Sequence, residues 1–577
     1  MKRFWLALIA VAAARAQLTT EEKLLDLQSL AALYAKQYAP YEWKRDALKV
    51  DLLNLGPWME RARRTKDDLE FYEVLSSYVA SLNDLHTVYL LPSDFIAFLG
   101  FSVDLYDGRP LIDQISRLQL PVRDYPFDIG DELVSIDGRT SAEWLAEFAR
   151  FSAFANKRST DRFNAIFLTF REQDLYPRAH EIGDRARVVI RRRSGEVENY
   201  SIPWIKFGTP VTTIGPVPAP RLTSTNNRVD EPGIEGLEDD TPNFLKRWWR
   251  LQNAHRAETP GMRRAGLDLA ALRGFGAIAP VWNRPAGFVQ RLGRPSDFFF
   301  SGTYQAQGKR IGYLRIPSFQ PALSSAVINF AIRQFDAEIA FLRENTDALV
   351  LDVMRNPGGI PCYVEELARR VIPTPFEGLR QEVRPTREWI LEYASVLEEA
   401  RLFGVDTWIV VLLEEIVKQL QSAYRENRGR TGSLPVCGIT FDRDPVRDRD
   451  GKVIAYDKPM LVLIDEFSTS GGEMLPALIQ DAGRAPLFGV RTAGGGGVVS
   501  AFATPVGFYS EGFATATQSL IVRRRPVVTP DFPTSSYIEN IGVRPEIPGD
   551  YMTEENLRTN GRAFVDAFTE AVLQLIR

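Results

Sequence analysis

Two short stretches of this 577-residue chain place small residues where a reacting group would have to approach the backbone. The first is Leu351-Asp352-Val353-Met354-Arg355-Asn356-Pro357-Gly358-Gly359. An apolar run ends there in a Pro-Gly-Gly turn, which exposes N–H groups with no side chain in the way. The second is Asp465-Glu466-Phe467-Ser468-Thr469-Ser470-Gly471-Gly472-Glu473. An apolar run leads through small residues into a helix start. A serine at a helix N-terminus is commonly a cap, but a Gly-Gly pair at that place is unusual. It lets a substrate reach the backbone and leaves the Gly471 N–H free to stabilise an oxyanion. Other chemistries find less support. The chain has three histidines and neither an HExxH nor a CxxC spacing, so no zinc site is expected. Gly494 to Gly497 lacks the following Lys-Ser/Thr of a phosphate loop. A formal net charge of −4 does not point to nucleic acid. No metal or cofactor is expected.

The elements that must carry these stretches can be read from periodicity. Phe298 to Tyr304, Ile311 to Ile316, Ala348 to Val353 and Met460 to Ile464 read as strands, and Ala326 to Leu342 and Ser470 to Asp481 as helices. Alternating strands and helices predict an α/β core over 266–577. Within it, 376–457 reads as a helical insertion. Leu391, Ala394, Leu397 and Ala400 line one of its faces, and Val411, Leu412, Ile416 and Leu420 another. Residues 17–90 read as an N-terminal helical domain, with Leu24, Leu27, Leu30, Leu33 and Tyr34 at helical spacing. Residues 91–205 change to short alternating runs. Gly130 to Gly138 reads as turn, strand and Asp-Gly hairpin, and Arg187 to Arg192 with Glu196 to Ile202 as a closing hairpin. This region resembles a PDZ domain, and Phe98-Leu99-Gly100-Phe101 resembles the loop with which such domains hold a peptide carboxylate. Residues 206–265 read as a connector in which Trp248 and Trp249 are expected to pack a core. The runs Arg191–Arg193 and Arg523–Arg525 are expected to be solvated.

In this order the motifs are similar to the catalytic core of the C-terminal processing, or tail-specific, serine protease family. Ile311 to Ile316 resembles its entry strand and Leu349 to Gly359 its Asn-Pro-Gly-Gly segment. Phe467 to Glu473 with Gln480 to Ala485 resembles its nucleophile helix, and Ile538 to Ile547 its closing segment. The resemblance implies a ClpP/crotonase-like α/β fold, Ser470 as nucleophile and Ser468 as structural. One departure matters. Typical members take their base from a lysine about 25 residues after the serine, where this chain has Gly494 to Gly497, and no lysine follows Lys458.

A serine without a base is a poor nucleophile. Asp84-Leu85-His86-Thr87 resembles the corresponding segment of a second branch, which includes the tricorn core and the chlamydial protease-like activity factor and uses histidine as base. That branch also takes a glutamate from the closing segment, which implies a triad of Ser470, His86 and Glu539. Gly471 with Gly358 or Gly359 would supply the oxyanion hole, and Glu473 either supports this network or stabilises a helix start. The expected activity is a serine endopeptidase acting on protein or peptide substrates. The alternative is a catalytically inactive binding or scaffold protein on the same fold. His180 and His255 receive no role.

The chain start carries an address. Lys2 and Arg3, the apolar run Phe4 to Ala13, and Ala14-Arg15-Ala16 form the pattern of a signal peptide over 1–16. Removing the three cations Lys2, Arg3 and Arg15 takes the net charge from −4 to −7. No later run is long enough to span a membrane, so an exported protein, periplasmic or extracellular, is expected. Cys362 and Cys437 are the two cysteines; export permits a disulfide, and two buried thiols are the alternative. The oligomeric state is not encoded in any motif.

Overall fold

The computed structural model describes residues 17–212, 274–321, 325–402, 404, 407–437, 440–502 and 506–576. The 1–16 segment, Trp248, Trp249, His255 and most of the connector lie outside the described residues.

The central sheet has seven strands in the order Val289–Leu292, Phe300–Ala306, Lys309–Arg315, Ala348–Asp352, Met460–Ile464, Leu487–Gly489 and Ile547–Pro548. The first two pairings are antiparallel and the remaining four parallel. Every residue of Ala348–Asp352 and Met460–Ile464 is buried, which is why both read as continuous apolar runs. Their alternation serves two layers. Leu349, Leu351, Val462 and Ile464 face the helices Ser325–Asn345 and Gly471–Asp481 through Phe335, Leu342, Leu475 and Leu478. Ala348, Val350, Leu461 and Leu463 meet Phe564, Phe568 and Val572 of the helix Arg562–Gln574.

A second sheet is organised by one long strand, Phe513–Val527. It pairs with Tyr89–Leu90, Gly497–Ala501, Ser535–Tyr537 and Arg380–Val383, and the last of these pairs with Leu434–Pro435. The helices Thr20–Gln37 and Asp68–Ala80 are capped by Thr19 and Asp67, and their apolar faces close on Ala514 and Ala516 of this strand.

Residues 96–211 hold a five-strand path, Phe101–Tyr106, Arg109–Ile115, Glu132–Ile136, Arg185–Arg191 and Val197–Pro203. Asp137 and Gly138 have φ of 51° and 81°, the left-handed pair that an Asp-Gly hairpin requires. Phe98, Leu99 and Phe101 are buried in the core of this region.

Three expectations need correction. The 376–457 stretch contributes Arg380–Val383 and Leu434–Pro435 to the second sheet as well as the helices Arg387–Leu402 and Thr407–Arg425. Within those helices Leu391 and Val411 are exposed; Leu397, Ala400, Leu413 and Val417 form the buried seam between them, and Ile416 and Leu420 pack on Val383 and Leu434. Arg523 is not solvated; it is buried against Asp481, while Arg524 and Arg525 are exposed. Cys362 and Cys437 form a disulfide that joins the helix Pro361–Ala368 to the segment following Leu434–Pro435.

Candidate active site

Ser470 stands between the buried strand Met460–Ile464 and the helix Gly471–Asp481, with φ 52° and ψ −118°. A non-glycine residue in this region costs of the order of 1–3 kcal/mol and persists only where its surroundings impose it. The imposition can be traced. The Ser470 N–H donates to Glu473 Oε2 at 3.1 Å, and Thr469 N–H donates to the Asn356 carbonyl at 2.9 Å. Ser468 Oγ donates to the Val353 carbonyl at 2.9 Å and accepts from Asp465 N–H at 3.1 Å. Ser468 is thereby a structural tie between the two loops. The glycines are needed because those loops interlock. A Cβ on Gly472 would lie 2.6 Å from the Asn356 carbonyl oxygen, and one on Gly358 would lie 2.6 Å from Ser470 Cβ.

The Pro-Gly-Gly turn sorts the oxyanion donors. Gly358 N–H donates to Asn356 Oδ1 at 2.8 Å and is spent. Phe319 clasps the turn from outside, donating to the Gly358 carbonyl at 2.8 Å and accepting from Ile360 N–H at 2.9 Å. Among the described residues, the N–H groups of Gly359 and Gly471 have no acceptor. They are neighbours, since a Cβ on Gly471 would stand 3.1 Å from Gly359 N. Gly359 and Ser470 line a cavity of about 250 Å³ whose wall also includes Gly495, Met474, Val498 and Ile538.

His86 lies on the loop between the helix Asp68–Ala80 and the strand Tyr89–Leu90. Asp84 Oδ1 accepts its backbone N–H at 2.8 Å, an Asx turn. Asp84 is itself fixed by the Tyr38 hydroxyl at 2.8 Å and by Thr517 Oγ1 at 2.8 and 3.0 Å. The His86 carbonyl accepts from Thr515 Oγ1 at 2.7 Å, so the loop is fastened to the long strand. The ring rests on the glycine run: His86 Cε1 is 3.4 Å from where a Gly495 Cβ would stand. Among the described residues, its Nδ1 is buried without a partner. Burial lowers the His86 pKa below the usual 6.5; Asp84 works against this and Lys44 adds to it.

Two carboxylates reach the same glycine run. Glu473, fully buried, accepts four donors: Thr492 Oγ1 at 2.6 Å, Gly494 N–H and Gly495 N–H at 2.7 Å each, and Ser470 N–H at 3.1 Å. Burial nevertheless pushes it up to about 7. Glu539, also fully buried, accepts Gly496 N–H at 3.0 Å through Oε2 and Lys44 Nζ through Oε1. Burial and the Asp84 charge push Glu539 up to about 8, against the pull of Lys44.

The structure therefore gathers Ser470, Gly471, Gly358, Gly359 and Glu473 at one set of interlocked turns, with His86 and Glu539 meeting them at the glycine run. Among the described residues no hydrogen bond joins the His86 ring to Ser470 or to Glu539. Lys44, Asn356 and Thr492 were not visible as site residues in the sequence. Lys44 sits in an ordinary charged stretch and carries no motif. Among the described residues, no group of three or more His, Cys, Asp or Glu side chains is arranged to hold a metal ion. No described helix is long and apolar enough to cross a membrane.

Comparison with known proteins adds domain content. Residues 310–548 match peptidase family S41, and residues 96–211 match a PDZ domain. A protein of Chlamydia trachomatis serovar D is 25% identical over 100% of this chain and 97% of its own length. A protein of Chlamydia pneumoniae is 26% identical, covering 98% of this chain and 92% of its own. The crystal structure of mature CPAF superposes with a TM-score of 0.72 at 21% identity, covering 96% of this chain and 98% of that one. The two share a fold. The S41 match contains Ser470, Glu473, Glu539 and both glycine turns, whereas His86 and Lys44 precede the PDZ domain.

Proposed function

We propose that this chain, a serine peptidase with an S41 catalytic domain and a PDZ domain, cleaves internal peptide bonds through an acyl-enzyme on Ser470, with His86 as base and Glu539 as the third member. The observation that carries the reading is Ser470 itself. It is held in a strained left-handed conformation beside the unspent N–H groups of Gly359 and Gly471, at the wall of a cavity. A cap needs none of this. Neutral His86 takes the Ser470 hydroxyl proton while Oγ attacks the scissile carbonyl carbon. The carbonyl electron pair moves onto its oxygen, which the two N–H groups receive. Collapse breaks the C–N bond, and the amine leaves with the proton held by His86. Water then repeats the sequence on the ester, returning Ser470. Before substrate binds, the Ser470–His86 hydrogen bond is open, as in many resting sites that tighten only around substrate. Glu539 contributes its charge to the imidazolium that forms.

Export completes the reading. The basic start, apolar run and Ala14-Arg15-Ala16 support a cleaved leader, and the Cys362–Cys437 disulfide suits an oxidising compartment. The test is labelling of the purified chain with a fluorophosphonate. The wild type should label, and Ser470→Ala and His86→Ala should each lower the rate roughly 10³-fold or more. Undiminished labelling of either variant removes that residue from the mechanism. N-terminal sequencing of the native protein should begin at Gln17; an intact Met1 would argue against export.

A further inference from the structure

Lys44 is remote in sequence from the S41 domain, yet its side chain is 1% exposed and lies against Glu539. An ammonium has three N–H groups, and all three are spent on different partners. One goes to the Asn83 carbonyl at 2.8 Å, one to Asn540 Oδ1 at 2.8 Å, and one to Glu539 Oε1. Asn83 opens the loop that carries Asp84 and His86. Glu539 and Asn540 belong to the closing segment. Asn540 returns the contact, donating through Nδ2 to the same Asn83 carbonyl at 2.9 Å. With Gly496 N–H on its other oxygen, the Glu539 carboxylate is fixed at both ends.

The local backbone is shaped for this contact. Lys44–Leu48 is a single π-helical stretch that ends at Lys49, φ 60°. Such turns are rare and occur often at functional sites. Just before it, Trp43 donates from Nε1 to Asn540 Oδ1 at 3.0 Å, and its ring packs edge-on to Tyr537 at 5.6 Å. Trp43 and Lys44 thus enter the closing segment together. A buried cation is costly unless paired, and hydrophobic packing alone would need no charge here.

We propose that Lys44 is a positioning residue of the catalytic apparatus, holding the Glu539 carboxylate in place and in register with the His86 loop. It acts through Glu539 and touches neither Ser470 nor substrate. The proposal rests on the Ser470–His86–Glu539 reading above. The test uses the full chain and four proteins: wild type, Lys44→Met, Glu539→Gln and the double variant. For each, the maximal acylation rate by a fluorophosphonate and the concentration for half-maximal rate are measured, with circular dichroism as a check on folding. Lys44→Met should lower the maximal rate about 10²-fold and leave the half-maximal concentration within about threefold. The double variant should be no slower than the worse single variant by more than about threefold, because both changes interrupt one unit. If Lys44→Met does not fold, Lys44→Gln, which keeps a donor without the charge, takes its place. Wild-type acylation by the Lys44 variant beside an impaired Glu539→Gln overturns the proposal alone. So does an equal loss from the Lys44 change in the Glu539→Gln background. Wild-type acylation by Glu539→Gln overturns the triad reading instead.

Discussion

At the scale of the residue, Glu473 is the anchor of the strained serine. Each of its oxygens accepts two donors, so the site suits a carboxylate and leaves no place for a proton. Its pKa is raised to about 7 by burial, so protonation near neutrality would put an O–H among N–H and O–H donors. His86 titrates the other way: burial lowers it below 6.5, so the neutral base is retained as the pH falls to that value. The third group is Glu539, whose charge is needed and whose pKa burial raises to about 8. The acylation rate should therefore fall in three steps as pH decreases: near 8 from Glu539, near 7 from Glu473 and below 6.5 from His86. Glu473→Gln places a permanent amide donor against the same four groups. It should lower acylation about tenfold or more at pH 8 and abolish the step near 7. A profile of the variant that keeps a step near 7 would assign that step elsewhere.

At the scale of the element, the site depends on one strand and one glycine run. Phe513–Val527 carries Thr515 and Thr517, which fasten the His86 loop and Asp84, and it pairs with the strands that follow Gly496 and precede Glu539. The run Gly494 to Gly497 lets those segments converge. A Cβ on Gly495 would stand 2.7 Å from Leu85 Cδ2 and 3.4 Å from His86 Cε1. Gly495→Ala should thus displace the end of a flexible leucine and press on the histidine. Expected is an acylation rate lowered about tenfold with a stability loss of about 1–3 kcal/mol, read from labelling and urea unfolding. An unchanged rate would mean that the ring position does not depend on the run. The glycine turns and the two central strands were legible because each is local: an apolar run, then small residues. The long strand was not. Its buried Thr515, Thr517 and Gln518 are polar, and their partners His86, Asp84 and Gln37 lie far away in sequence. The burial of Arg523 escapes the sequence for the same reason, since its charge is answered by Asp481, 42 residues earlier. Lys44 is the extreme case, its partner Glu539 being 495 residues away.

At the scale of the whole molecule, the PDZ region holds the Ser470 loop directly. The helix Lys157–Ala165 crosses from one to the other. Arg162, 3% exposed, donates to both oxygens of Asp104 on the strand Phe101–Tyr106, at 2.5 and 3.1 Å. Its remaining nitrogen lies 3.2 Å from Glu466, and its guanidinium covers the Phe467 ring at 4.2 Å. Ser159 Oγ donates to the Glu466 carbonyl at 2.9 Å, and Arg158 bridges Glu466 to Asp550. Glu466 and Phe467 begin the loop that ends in Ser470. One buried cation therefore neutralises a carboxylate on each side of the junction. Removing it leaves Asp104 short of its guanidinium partner and Glu466 dependent on Arg158 alone, a loss of about 3–5 kcal/mol for a broken buried pair. Arg162→Met keeps much of the side-chain volume and none of the charge. It should lower the first thermal transition of the full chain and reduce acylation of Ser470 in the same protein at 25 °C. Loss of stability with normal acylation would show that the junction is only a clamp. Loss of both would make the PDZ region a structural part of the Ser470 loop, so that whatever shifts the helix Lys157–Ala165 also shifts Ser470.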